Sequence, residues 1–427
     1  MISLLLLFLA CLFFALRVPV SIAMALATLI AFVAAGIPLR VVASQMVFGV
    51  DSYALLAVPF FVYAGNVMNV GGITERIFTF ARALFGWMTG GLAQVNVAAS
   101  VIFAGMSGSA LADLAGLGAV EMRAMRENGY PAGFSAGITL ASCTIGPIVP
   151  PSIILVIYAL ATDTSVGRLF LAGIGAGLVI AACLMVHVYI HVKRTRAEWG
   201  RPERFSGARV RLTAREGLPA ILAPVVILAA LAFGVTTPSE LGAVASLYAL
   251  MVALWYRSMD WAKLWQALTS TVTTTAVIML LFAVAGAMNF VIARERVAHE
   301  AAIWMAEAVT NPVLGILAIN LFLVVIGMFL EGPIAILVIA PILIDVVAGY
   351  GMDPVTFGVM LSFNVLIGMI TPPVGIGLFV GARVAGITPE RTLRATMPFL
   401  VPLFVGLAII AFVPAVTLWL PGLVMGP

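Results

Sequence analysis

Two proline pairs carry the sharpest chemical signal in this chain. Ile145-Gly146-Pro147-Ile148-Val149-Pro150-Pro151 and Ile367-Gly368-Met369-Ile370-Thr371-Pro372-Pro373 stand 222 residues apart, each inside an apolar run. Proline lacks the N–H donor and ends the helix before it, which leaves carbonyls unpaired. In hydrocarbon such groups must face protein or water. At the second pair, Thr371 fits an N-cap with Pro372 at the first helical position. A helix restarting there aims its N–H groups and positive dipole end into the gap. The stretch Ile145 to Ser152 can do the same from the other side. Two such ends suit an anion, and unwound carbonyls suit Na⁺, a hard cation that takes oxygen ligands. The plainer alternative is two kinked helices. Ser142, Thr144 and Asn364 flank the breaks, as oxygen donors or as ordinary helix–helix hydrogen-bonding groups.

Two further polar segments interrupt apolar runs. The first is Ser107-Gly108-Ser109-Ala110-Leu111-Ala112-Asp113, with Asn96 and Ser100 upstream; the second is Glu331-Gly332-Pro333. Ser109 can cap a helix that follows it, and Asp113 then sits in the first turn, where the dipole favours a carboxylate. Glu331 to Pro333 reads as a helix stop and restart. Acids inside membrane segments are functional candidates by default. Asp113 and Glu331 are read equally as coupling acids or as structural caps.

These segments must be positioned by membrane helices. Of the 427 residues, 63% are hydrophobic and 9% charged, against about 25% charged in a soluble chain. Soluble, disordered, collagen-like and disulfide-stapled classes are excluded. The three cysteines (Cys11, Cys143, Cys183) lie in apolar segments and form no disulfide or metal pattern. His187 and His191 read as interfacial residues rather than zinc ligands. No nucleotide-binding, dinucleotide, metalloprotease or nucleophile motif is present, so neither an ATP-driven nor an enzymatic function has support. Met1 to Leu16 lacks a basic leader and reads as a retained first span.

Runs long enough to cross occur at 2–16, 18–39, 52–74, 128–162 and 169–192, then at 217–239, 241–256, 264–293, 354–382 and 395–421. Residues 92–128 and 312–349 are broken in the middle into arms too short to cross and are read as re-entrant hairpins. Residues 73–90 and 294–310 look like in-plane amphipathic helices. With the N-terminus outside, 18 of the 22 Lys and Arg residues fall inside, eight of them in the linker 193–216. That distribution obeys the positive-inside rule. Residues 1–192 and 217–427 are thus two halves joined by a basic cytoplasmic linker, with broken helices at 134–160 and 354–382. Five crossings per half turn the second copy upside down. The fold class is an all-α polytopic membrane protein, an inverted-repeat secondary transporter of about ten transmembrane helices and two re-entrant hairpins.

The chain resembles the large membrane subunit of tripartite ATP-independent periplasmic (TRAP) transporters. The resemblance runs along the whole chain and is most specific at SGSALAD (107–113), GITLASCTIGPIVPPS (137–152), FLEGP (329–333) and NVLIGMITPPVG (364–375). It implies Na⁺-coupled import of an organic anion such as a C4-dicarboxylate or sialic acid across a bacterial inner membrane. It implies two partners, a periplasmic substrate-binding protein and a separate small membrane subunit of Q type. It also implies an elevator mechanism, while the charge count with ten crossings puts both termini on the periplasmic side. Carried onto this sequence, it places substrate at Ser107, Ser109, Thr144, Pro150, Ser152, Thr371 and Pro373. Na⁺ falls at Ser107, Gly108, Asp113, Gly146, Glu331, Gly332, Asn364, Gly368 and Thr371. A self-sufficient sodium/anion symporter of the same superfamily is the alternative. The motifs do not name the solute.

Overall fold

A computed structural model of the chain describes residues 2–16, 18–232, 236–372 and 375–426. Arg17 and Pro373 lie outside the described residues. Among those described there is no strand; the first half contains α1 (Ile2–Ala15), α2 (Val20–Ala34), α3 (Leu39–Val50), α4 (Ala57–Val70), α5 (Ile73–Phe85) and α6 (Leu92–Ser107). It continues with α7 (Ala110–Ala115), α8 (Leu117–Glu127), α9 (Ala132–Ser142), α10 (Ile153–Thr162) and α11 (Val166–Thr195). After the basic linker come α12 (Gly207–Ala232), α13 (Pro238–Trp255), α14 (Trp261–Arg294), α15 (Val297–Ala308) and α16 (Pro312–Phe329). The chain ends with α17 (Gly332–Gly349), α18 (Pro354–Met369), α19 (Ile376–Ala385), α20 (Pro389–Phe412) and α21 (Ala415–Met425).

Local chemistry sets many of these starts. Thr237, Asn311, Asp353 and Thr388 each cap a helix by accepting a backbone N–H, and each is followed by a proline in the first turn. Asp260 and Ser165 cap α14 and α11 in the same way.

The order of elements runs twice: two helices, a long helix, a short helix, a helix–turn–helix pair, a helix interrupted at the proline pair, and a long final helix. In the first half the long helix is split into α3 and α4 around Asp51, whereas α14 is continuous over 34 residues. The split explains why residues 39–50 fall outside the expected span at 52–74: α3 carries Arg40, Ser44 and Gln45, so its apolar face is only a stripe. That face runs along α14, where Gly49 and Gly286 meet backbone to backbone. The last run, expected as one span, is likewise divided into α20 and α21 at Val413 and Pro414.

The helices sort into two packing groups. One contains α1–α4 and α12–α14; the other contains α6–α11 and α16–α21. Within the second group the halves interlock. The returning arm α17 packs on α10 of the first half, while α7 and α8 pack on α19 of the second. Helix α5 bridges α12 and α6, and α15 lies against α17 and α14.

Among the described residues, five helices (α11, α14, α16, α17 and α20) are long and apolar enough to cross a membrane. Large apolar side chains face outward along them, with Val272 67%, Leu321 68% and Val401 62% exposed. Such faces need an apolar solvent. Both arms of the second helix pair run 18 residues, about 27 Å, so by length and apolar composition they suffice to cross, against the expectation that they are too short. In the first pair the returning arm is broken at Gly116 into α7 and α8.

Candidate functional site

The two helix–turn–helix tips meet at one cavity of about 280 Å³. Helix α6 ends at Ser107, and Gly108 turns the chain at φ +61°, a conformation open to glycine. Ser109 is extended and its side chain accepts from Ala112 N–H at 3.4 Å, capping α7 as expected. From the other half, Glu331 holds the N-cap position of α17 but makes no side-chain capping bond. The capping role proposed for that side chain is therefore not taken. Gly108, Ser109, Glu331, Gly332 and Pro333 all line the cavity.

The breaks stand behind these tips. In the first, α9 stops at Ser142 and Ser152 restarts the chain, accepting from Leu155 N–H at 3.1 Å and donating to the Pro147 carbonyl. Thr144 Oγ1 donates to the Ala141 carbonyl at 2.7 Å. Asp113 is buried, and its carboxylate fills the space where Gly146 lacks a side chain; a Cβ there would collide with Asp113 Oδ2. The first tip is thereby seated on the first break.

At the second break the expected restart at Thr371 is not formed. Thr371 Oγ1 donates to the Ile367 carbonyl at 2.6 Å, so it finishes α18, and α19 begins only at Ile376 after Gly375 at φ +46°. The hydroxyl satisfies the last turn behind it, and a left-handed glycine supplies the turn ahead. Asn364 Nδ2 donates to Asn320 Oδ1 at 2.7 Å and to the Met360 carbonyl at 2.8 Å. Gly368 packs directly on Gly327 of α16.

Of the sequence-derived candidates, Gly108, Ser109, Glu331 and Gly332 line the cavity, whereas Asp113, Thr144, Gly146, Pro150, Ser152, Asn364, Gly368 and Thr371 do not. Those in the second set are buried in the layer that holds the tips. The breaks reach the cavity instead through apolar neighbours: Ile153 and Ile154 at the start of α10, and Leu366 and Met369 at the end of α18.

The fourth wall went unread in the sequence. Thr273, Thr274, Val277, Ile278 and Leu281 of α14 close the cavity from the other packing group. The signal was available: five hydroxyl residues in the six positions 270–275 are unusual inside a long apolar helix. Thr271 is engaged elsewhere, accepting from Asn66 Nδ2 of α4 at 3.0 Å. Thr274→Val keeps the shape and removes one hydroxyl. Losing one hydrogen bond of about 1 kcal/mol raises the half-saturating solute concentration about fivefold. Uptake titration beside an unchanged thermal unfolding midpoint checks this.

The cavity is a largely apolar chamber with hydroxyl edges, at which α10 and α17 both begin. Glu331 is the one charged lining residue among those described. Together with the apolar helix bundle, this defines a polytopic helical membrane transporter. The fold agrees: the YdaH transporter of Alcanivorax borkumensis matches over 91% of this chain and 90% of its own, with a TM-score of 0.66 at 14% identity.

Residues 5–416 match the family described as "Tripartite ATP-independent periplasmic transporter, DctM component". The sialic acid TRAP transporter large permease protein SiaM of Vibrio cholerae is 43% identical over 389 residues, 90% of each chain. The C4-dicarboxylate TRAP transporter large permease protein DctM of Pseudomonas aeruginosa is 40% identical, covering 87% of each. The chain belongs to the DctM component family of TRAP transporters. It is a transporter subunit and a multi-pass membrane protein, not an enzyme.

Proposed function

We propose that this chain is the large permease of a three-component importer that carries a small organic anion into the cell with Na⁺. The cavity where both tips meet α14 is the observation that carries the reading. A carboxylate cargo there would stand beside the Glu331 carboxylate, and like charges at close range repel. A Na⁺ ion between them removes the conflict and ties cargo binding to cation binding. The relatives' names give the solute class, sialic acid for one and C4-dicarboxylate for another.

The remaining parts follow from the same reading. The positive-inside pattern sets the linker 193–216 in the cytoplasm and both termini in the periplasm of a bacterial inner membrane. Tips entering from opposite faces make the halves inverted repeats. The group of α6–α11 and α16–α21 moves as an elevator against α1–α4 and α12–α14, with the cavity at the seam. The partners are a small membrane subunit and a periplasmic substrate-binding protein that delivers the solute.

Reconstitution in proteoliposomes tests this. Uptake of radiolabelled sialic acid or succinate should require the binding protein, the small subunit and an inward Na⁺ gradient together. Uptake by the chain alone makes it a self-sufficient symporter, and uptake indifferent to Na⁺ removes the coupling.

A further inference from the structure

The first helix pair encloses an acid that the cavity does not use. Glu121 of α8 is 1% exposed. Asn96 of α6 donates to Glu121 Oε2 at 2.8 Å and to Thr139 Oγ1 of α9 at 2.7 Å, and Ser142 Oγ donates to Asn96 Oδ1 at 2.6 Å. Every hydrogen-bonding atom of the Asn96 amide is thus engaged. The second carboxylate oxygen, Oε1, is buried and has no hydrogen-bond partner. Among the described residues no cation pairs with Glu121. The nearest basic residues in sequence, Arg123 and Arg126, line an open pocket at the base of the pair with Glu127 and Val384, and Arg126 donates to the Ala385 carbonyl at 3.3 Å. Asp113 is the titratable group whose charge is felt at this carboxylate, and the neutral thiol of buried Cys143 stands near both acids.

The second half provides an internal comparison. Ser142 and Asn364 are 222 residues apart, and the Asn320–Asn364 contact repeats the Asn96–Ser142 contact there. Asn96 and Asn320 are 224 residues apart, so Leu343 and Asp345 stand at the two offsets from Glu121, and Asp345 is exposed. The amide-centred contact is common to both halves, whereas a buried acid beside it belongs to one. The contact therefore does not need the acid, and helix packing alone does not account for it. A buried carboxylate whose only donor is one amide needs a positive partner.

We propose that Glu121, with Thr139 and Asn96 beside it, seats one monovalent cation inside the first helix pair, separate from the ion placed near Glu331. Na⁺ and a proton share the required chemistry, a single charge small enough to reach Oε1. The site lies behind the tip rather than in the cavity, so the ion travels with that helix pair and never touches the solute. Its part in uptake rests on the cation-coupled function proposed above; its existence does not.

The test uses the purified chain in detergent, with thermal unfolding followed against NaCl, choline chloride holding the ionic strength constant, at mildly acidic and mildly alkaline pH. Each ion bound only by the folded state adds to the slope of stability against log[Na⁺]. If Na⁺ occupies the site, Glu121→Gln loses the slope of one ion and Glu121→Asp keeps it. If a proton does, the wild type's unfolding midpoint in choline depends on pH more steeply than that of Glu121→Gln, by the contribution of one group. Identical Na⁺ and pH responses in wild type and Glu121→Gln overturn the proposal, whereas Na⁺-independent uptake overturns only the coupling proposed for the cavity. Should Glu121→Gln fail to fold, dicyclohexylcarbodiimide, which modifies protonated buried carboxyls, is applied to the wild type. Peptide mass spectrometry then finds an adduct on Glu121 that NaCl suppresses or that alkaline pH suppresses. No adduct under any of these conditions overturns the site.

Discussion

Gly146→Ala lowers the initial rate of solute uptake by about tenfold to a hundredfold while the protein still folds. The new methyl group points into the Asp113 carboxylate, which occupies the space that the missing side chain leaves. Asp113 lies on α7, a helix of six residues that begins next to Ser109 at the cavity edge. Pushing the carboxylate away therefore shifts the tip, not a remote surface. Overpacking of this kind costs about 1–3 kcal/mol, and each 1.4 kcal/mol is about tenfold in an equilibrium. The strain falls on one local contact, so most of it appears as lost solute and cation binding. Gly349→Ala is the control, since a Cβ at Gly349 meets nothing within 4 Å. Initial uptake rates in proteoliposomes, with gel filtration to confirm a folded chain, read the difference. Equal rates for the two variants would mean that the Asp113–Gly146 contact does not position the tip.

Gly368→Leu has the larger effect on stability. A Cβ at Gly368 would enter the backbone of Gly327, and a Cβ at Gly327 would stand 2.7 Å from Val365 Cα. Two helices here touch main chain to main chain, as small residues permit in membranes. No flexible side chain is present to yield, so α16 must separate from α18. The expected loss is about 3 kcal/mol or more, a large part of a typical stability of about 5–15 kcal/mol. The unfolding midpoint in detergent should drop steeply, or the variant should fail to accumulate, while Gly349→Leu stays close to wild type. A Gly368→Leu protein as stable as wild type would show that these helices are not in backbone contact.

What the sequence disclosed was local. The proline pairs and the Ser109 cap depend on neighbours within a few residues, and the structure forms that cap. The Thr371 restart failed for a local reason too. The hydroxyl had a carbonyl to satisfy one turn back, at Ile367, and Gly375 was free to take the left-handed turn. Helix α3 was hidden because the apolar-run criterion discards a helix with only one apolar face.

The rest needed distance. Nothing near Asp113 in sequence points to Gly146, and nothing near Thr273 points to tips that lie more than 50 residues away in either direction. The hydroxyl run in α14 was visible as composition, but its cavity role comes from where α14 packs. Glu121 is not marked out by its sequence, because it stands two residues before Arg123, where a charge looks like the end of a membrane arm. Folding instead buries it against Asn96.

The central claim is that the solute binds between the two tips and α14 with a cation at Glu331. A cryo-EM map of the chain with its small subunit, prepared in NaCl with a solute shown to be taken up, tests it most directly. The account predicts solute density bounded by Ser109, Gly332, Thr273 and Thr274, with a separate ion peak beside the Glu331 carboxylate. Solute density anywhere outside those residues, with the tips closed on an empty chamber, would contradict it.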